Sequence, residues 1–127
     1  MCGGRREGAL FFPTILTDVT TRMRVMCAEI FAPVISIVPY DSLEAVIDDI
    51  NATPYGLAAG IFSANINTAI KAARELQVGT VHINETSSSR VDVMPYGGTK
   101  DSGFGREGPK YAIREMTDER LVTLSPY

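Results

Sequence analysis

Glu29-Ile30-Phe31-Ala32-Pro33 runs directly into Val34-Ile35-Ser36-Ile37-Val38. One carboxylate and one aromatic ring therefore stand immediately ahead of a continuous apolar, β-branched run. Such a run reads as a strand buried on both faces, as in a parallel sheet. Pro33 pushes the residue before it toward extended geometry, so the chain is expected to enter this strand without a helical turn. A carboxylate beside the end of a buried strand is costly unless something pairs with it, and a diol or a cationic side chain would serve. The residue types leave two readings open. Either Glu29 and Phe31 face a ligand, or Glu29 pairs with a nearby arginine and Phe31 is ordinary core.

Outward from this junction, Ala9-Leu10-Phe11-Phe12-Pro13-Thr14-Ile15-Leu16 precedes it as a strand or extended segment. Pro13 breaks the segment and forbids a central ladder position there. Downstream, Asp41 followed three residues later by Glu44 matches a capping box. Leu43, Val46, Ile47 and Ile50 then share one apolar helix face, which Asn51 and Pro54 end. Leu57-Ala58-Ala59-Gly60-Ile61-Phe62 is a second short buried strand. Asn65 or Asn67 caps a second helix with Ile66, Ile70, Ala73 and Leu76 on one face, and Gly79 supplies its stop. Thr80-Val81-His82-Ile83-Asn84 is a third strand.

Strand, helix, strand, helix and strand with short connections imply an α/β fold. The expected architecture is a small parallel βαβαβ sheet with helices on its faces. In such sheets ligands collect outside the carboxyl ends of the strands. Asn84 and the polar loop from Glu85 to Arg90 lie at such an end, whereas Glu29 lies at the amino end of its own strand. Pro109 fits the first turn of a helix through Tyr111, Ala112, Ile113 and Met116. Leu121-Val122-Thr123-Leu124 reads as a last, uncovered edge strand, which is a ready dimer contact.

Length and charge narrow the classes. A chain of 127 residues makes at most one domain and is expected to bury about two-thirds of its unfolded surface. Apolar content of 45% and charged content of 21% are ordinary for a soluble globular protein. A net charge of −3 argues against nucleic acid or anionic lipid as the main partner. No apolar run reaches about 18 residues, so no membrane span is expected. Met1-Cys2-Gly3-Gly4-Arg5-Arg6 lacks an apolar signal core, so a cytoplasmic location is expected.

Few residue groups offer chemistry. Cys2 and Cys27 form neither a disulfide framework nor a metal motif. Either could be a nucleophile in principle, but His82 is the only histidine, and inert thiols are the simpler reading. His82 alternates with Val81 and Ile83 and reads as structural. One histidine with scattered acids makes no metal ligand set. Gly103-Phe104-Gly105-Arg106-Glu107-Gly108 fits G-x-G-x-x-G, but a polar, turn-rich stretch precedes it where the dinucleotide fingerprint needs a buried strand. A structural turn before a helix is expected, with Lys100, Arg106 and Glu107 holding it by local pairing. Arg90, after the serine-rich loop, is either a ligand for a substrate carboxylate or phosphate or a solvated loop charge.

Five ordered blocks carry a resemblance. They are Pro13 to Leu16, Glu29 to Val34, Asn51 through Tyr55 to Phe62, Gly79 to Asn84, and Pro95-Tyr96-Gly97-Gly98 through Lys100, Ser102-Gly103 and Gly105 to Gly108. Together they resemble the C-terminal part of the aldehyde dehydrogenase superfamily. The loop from Asn84 to Met94 looks most like the lactaldehyde and non-phosphorylating glyceraldehyde-phosphate branch.

The resemblance implies a cofactor, NAD or NADP, and an aldehyde substrate. It gives Glu29 the nicotinamide ribose hydroxyls and Phe31 a place beside the nicotinamide. It puts Tyr96 in the wall of the aldehyde pocket and Arg90 in a loop that selects substrates. Ala32 replaces the family's common glycine, and Ala28 stands where a second glutamate is frequent. The family's cysteine nucleophile, general-base glutamate, oxyanion-hole asparagine and main dinucleotide domain lie upstream of the blocks matched here. Residues 1–127 thus resemble the C-terminal segment of a catalytic domain, with 119–127 as an oligomerisation strand and no catalytic residue of its own. Inactivity of the isolated chain is expected. The rival expectation is a non-catalytic module that docks on a full-length relative or on itself.

Overall fold

In the computed structural model, which describes residues 2–126, Pro13 divides the first extended segment into separate strands. β1 (Arg6–Glu7) pairs antiparallel with β2 (Leu10–Phe11), and β3 (Thr14–Leu16) begins just after the proline. The missing N–H of Pro13 explains the break. From Thr14 onward donors are available again, and the Thr14 N–H reaches the Pro33 carbonyl at 2.9 Å. That bond opens a parallel ladder between β3 and β4 (Val34–Ser36). Thr14 is buried and its hydroxyl is satisfied locally. It accepts from the Gly4 N–H at 2.8 Å and donates to the Phe12 carbonyl at 2.9 Å.

Contacts group the chain into two units, Met1–Pro54 and Tyr55–Tyr127. The first contains β1 to β4, a single-turn helix α1 (Arg24–Cys27) that the sequence reading did not anticipate, and α2 (Leu43–Asn51). Ile47 is the buried member of the apolar face of α2. Its N-cap is Ser42 and not Asp41. The helix starts at Leu43, so the residue whose oxygen can reach the Ala45 N–H (3.3 Å) is Ser42.

In the second unit β5 (Tyr55–Gly56) pairs antiparallel with β8 (Thr99–Lys100). β6 (Ala58–Ile61) runs parallel to β7 (Thr80–Ile83), with α3 (Ile66–Glu75) connecting them. Asn65 resolves the choice of cap, its Oδ1 accepting from the N–H groups of Asn67 and Thr68 at 2.9 and 3.3 Å. α4 (Pro109–Glu115) follows with Pro109 in its first turn, as expected.

The α/β class and its parallel pairing are therefore present, but the single three-stranded sheet is not. β4 pairs with β3, and β6 with β7. The broken segment before β4 regains a full set of donors after Pro13, and Thr14–Leu16 pairs with β4 in parallel. Nor is β4 buried on both faces: Ile35 is largely exposed.

Two helix details also differ. The buried face of α3 is Ala69 and Ala72, while Ile66 is 63% exposed. Small side chains let the helix lie close on β7 and leave the larger ones on its flank. Gly79 is not the helix stop. α3 ends at Glu75 with Leu76 as its extended C-cap, and Gly79 donates its N–H to the Gly56 carbonyl at 3.0 Å.

The expected strand Leu121–Leu124 is absent, and residues 116–126 form no helix or strand. A strand exists only through pairing, and no partner strand meets this segment among the described residues. Tyr127, the last residue of the expected segment, lies outside them. Among the described residues the buried apolar side chains are Ile47, Ala69 and Ala72. The chain exposes 10146 Å², where a folded monomer of 13.8 kDa exposes about 6,600 Å². It thus buries about half of its unfolded surface and not the two-thirds expected from length.

Candidate functional site

In the first unit, the Thr14–Pro33 bond fixes the end of the segment that carries Glu29 and Phe31. Phe31 is 92% exposed. Glu29 is exposed as well, and among the described residues no hydrogen bond or ion pair engages its carboxylate. The alternative in which an arginine neutralises Glu29 within a core does not describe this structure. What the segment offers is a free carboxylate two residues from a bare aromatic ring. That combination suits hydroxyl donors beside a flat, weakly polar group.

The other two candidates, Tyr96 and Arg90, meet in the second unit. The guanidinium carbon of Arg90 lies 4.3 Å from the centre of the Tyr96 ring. Its Nη2 donates to Glu107 Oε2 at 2.9 Å. Glu107 is in turn tied to Tyr96 through the backbone, each N–H donating to the other's carbonyl at 2.6 and 3.2 Å. Arg90 is therefore neither a freely solvated charge nor a buried one. It is stacked on a ring, paired with one carboxylate, and half-exposed. The sequence points to pairing of Glu107 within the glycine loop, whereas its carboxylate pairs with Arg90. The two residues are 17 positions apart in sequence, and the Tyr96–Glu107 bridge helps bring them together.

Beside Tyr96 lies an open cleft of about 430 Å³, lined also by Leu57, Phe104, Arg106, Glu107 and Glu115. The glycine-rich stretch forms one wall. Gly103, Gly105 and Gly108 all have positive φ (131°, 74° and 112°), a conformation that glycine adopts without steric cost. Arg106 holds the turn, donating from Nη1 to the carbonyls of Gly98 and Gly105 at 3.0 and 2.8 Å. This is the turn before a helix that the sequence implies, led in by the two-residue β8 and not by a buried strand.

The remaining candidates stay chemically quiet. Cys2 and Cys27 are free and exposed, and the Cys27 thiol donates to the Thr21 carbonyl at 2.9 Å. His82 sits within β7 opposite Gly60. Among the described residues no cluster of His, Cys, Asp and Glu could hold a metal, and no helix is long and apolar enough to cross a membrane.

Residues 1–122 match the model of the aldehyde dehydrogenase family. The chain belongs to this family. It is 51% identical over 123 residues to 3-sulfolactaldehyde dehydrogenase from Priestia aryabhattai, covering 97% of this chain and 26% of that protein. Among solved structures, glyceraldehyde-3-phosphate dehydrogenase GapN from Methanocaldococcus jannaschii, complexed with NADP, superposes with a TM-score of 0.86. It is 48% identical, and the match covers 91% of this chain and 25% of that one. Aldehyde dehydrogenase from Bacillus cereus, in its NAD+ complex, gives 0.83 at 41% identity, covering 91% and 23%. The chain spans about a quarter of the length of the curated relatives it matches. The resemblance to the lactaldehyde and glyceraldehyde-phosphate branch agrees with these relatives.

Proposed function

We propose that this chain is the C-terminal part of an NAD(P)-dependent aldehyde dehydrogenase and supplies one wall of its cofactor and substrate sites. The observation that carries the proposal is the Glu29 carboxylate, unpaired among the described residues, two positions from the bare ring of Phe31 and shortly ahead of β4. Glu29 accepts hydrogen bonds from the two hydroxyls of the nicotinamide ribose, and Phe31 packs beside the nicotinamide. The cofactor, NAD or NADP, supplies the hydride acceptor. Tyr96 lines the aldehyde pocket. Arg90 binds an acidic group on the aldehyde, in keeping with the sulfonated and phosphorylated substrates named for two relatives. Stacking on Tyr96 holds the guanidinium plane, which favours two-pronged recognition of an anion.

Neither Cys2 nor Cys27, both free and exposed, takes the covalent step, because neither sits in the family's nucleophile motif. The isolated chain is inactive, and it binds cofactor weakly because most cofactor contacts come from other parts of the whole enzyme. The working assembly is oligomeric and cytoplasmic. The test mixes the purified chain with lactaldehyde or glyceraldehyde 3-phosphate and NAD+ or NADP+. No reduced cofactor forms. An aldehyde-dependent rise in its absorbance, abolished by Cys27→Ala, would refute the proposal.

A second reading rests on the bare tail. Leu121 and Leu124 are 89% and 92% exposed, which suits a segment that completes its pairing on a full-length relative or on a second copy. Size-exclusion chromatography with and without such a relative separates this docking module from a chain that stays alone.

A further inference from the structure

The loop that leads to Arg90 is fixed at both ends. Its far end is the Arg90–Tyr96–Glu107 group. Its near end is Asn84, the residue after β7, whose backbone is left-handed at φ 56°. For a residue with a Cβ this conformation costs free energy, and asparagine tolerates it better than most. The Asn84 N–H donates to the Ile61 carbonyl at 2.7 Å, so the β6–β7 ladder continues to this point. Its side-chain Oδ1 accepts from the Ser63 N–H at 2.8 Å, across the connection between β6 and α3. A second, independent contact lies alongside. A Cβ on Gly60 would stand 2.6 Å from the Glu85 carbonyl oxygen, so the loop's first peptide lies directly on the bare Cα of Gly60.

We infer that Asn84 is a positioning residue for substrate selection, setting where Arg90 sits by turning and pinning the loop that carries it. The functional meaning rests on the substrate role proposed for Arg90. The mechanical part does not. The left-handed turn brings residues 85–87 back over Gly60 of β6, and the Oδ1 bond to Ser63 holds that turn to the end of β6. Gly60 sets how low the loop lies. Only a short span, 85–89, then separates the fixed turn from the guanidinium, so a change at Asn84 is carried to Arg90 with little room for absorption. Nothing in the sequence pattern marks Asn84 for this task beyond its place at a strand end.

Arg90 itself reports the test. A side chain lying over an aromatic ring shows upfield-shifted methylene protons, so the Arg90 Hδ signals in the NMR spectrum of the full chain measure its place over Tyr96. Asn84→Gly keeps the backbone conformation and removes Oδ1, and it is expected to lose the upfield shift and speed the exchange of the Ser63 amide. Asn84→Asp keeps an acceptor oxygen and is expected to restore both. Gly60→Ala, which lifts the loop from below without touching Asn84, is expected to lose the Arg90 shift as well. Slow exchange of the β6–β7 ladder amides identifies folded variants. An Arg90 shift unchanged in folded Asn84→Gly, or not restored by Asn84→Asp, overturns the inference, as does an unchanged shift in Gly60→Ala. No ligand enters this measurement, so it stands apart from any failure of Arg90 to bind an anionic substrate.

Discussion

Gly79 and Gly97 cross so closely that a Cβ on Gly79 would collide with the Gly97 carbonyl oxygen. The crossing joins the start of β7 to the residue that follows Tyr96, so one backbone approach sets the distance between the central strand pair and the aldehyde-pocket candidate. Neither glycine needs a positive φ for this. What the position demands is the absence of a side chain.

Gly79→Ala therefore destabilises the second unit through overpacking against that backbone carbonyl. The expected loss is about 1–3 kcal/mol, the usual range for forced insertion of a methyl group into close-packed structure. Urea unfolding followed by circular dichroism checks it. Gly8→Ala is the control, because no atom lies within 4 Å of the Cβ it would add. Although Gly8 has a positive φ of 59°, its cost is limited to local backbone strain in an exposed turn. If both variants unfold alike, the Gly79–Gly97 contact is not limiting.

Arg90→Lys separates the two interactions at that side chain. Lysine can still pair with Glu107, but it lacks the flat guanidinium that stacks on Tyr96. The Arg90–Glu107 pair is largely exposed and such pairs contribute about 0–1 kcal/mol, so Glu107→Gln is expected to leave stability almost unchanged. If Arg90 recognises an acidic aldehyde, Arg90→Lys in the assembled enzyme raises KM for that aldehyde more than for a neutral one. Equal changes for both aldehydes would remove Arg90 from substrate selection.

Parts of this structure were legible before any coordinates because the physics is local. Pro13 removes a donor, Asn65 can cap a helix, and Pro109 fits a first turn, each whatever lies elsewhere. The partner of β4 was not legible. Strand pairing depends on which other segment has free donors, and the brief stretch Thr14–Leu16 carried too weak a pattern to compete on paper. The face of α3 was misread for a related reason. Periodicity favours the large Ile66 and Ile70, while close approach to β7 selects the small Ala69 and Ala72. Of the site, Arg90 and Tyr96 could be named from family resemblance, but their stacking could not. It depends on Glu107, which joins Tyr96 by backbone bonds across a turn and Arg90 by its carboxylate.

Glu29→Gln distinguishes a binding carboxylate from a structural one. Glu29 is exposed and unpaired among the described residues, so the substitution is expected to move folding stability by less than about 0.5 kcal/mol. A carboxylate that accepts hydrogen bonds from a diol contributes about 1.5–3 kcal/mol, and cofactor affinity in the assembled enzyme should fall roughly ten- to a hundredfold. Calorimetric titration with NAD+ and NADP+, beside a thermal melt, gives both quantities. Loss of stability without loss of affinity would make Glu29 a structural residue and end the ribose assignment.

The tail makes the opposite kind of prediction, about association with no effect on the fold. Leu121, Val122 and Leu124 project from a segment without secondary structure, and all three are exposed. Burying two leucines against a partner strand is worth roughly 1.5–3 kcal/mol for each side chain, and the ladder bonds add to that. Replacing Leu121 and Leu124 by serine should leave the unfolding midpoint of the isolated chain where it was, since neither side chain is packed. In the assembled protein the same double substitution should shift the oligomer toward smaller species in light scattering after size exclusion. An unchanged oligomer would mean that these leucines contribute nothing to assembly. A lowered midpoint in the isolated chain would mean that the tail packs on its own subunit.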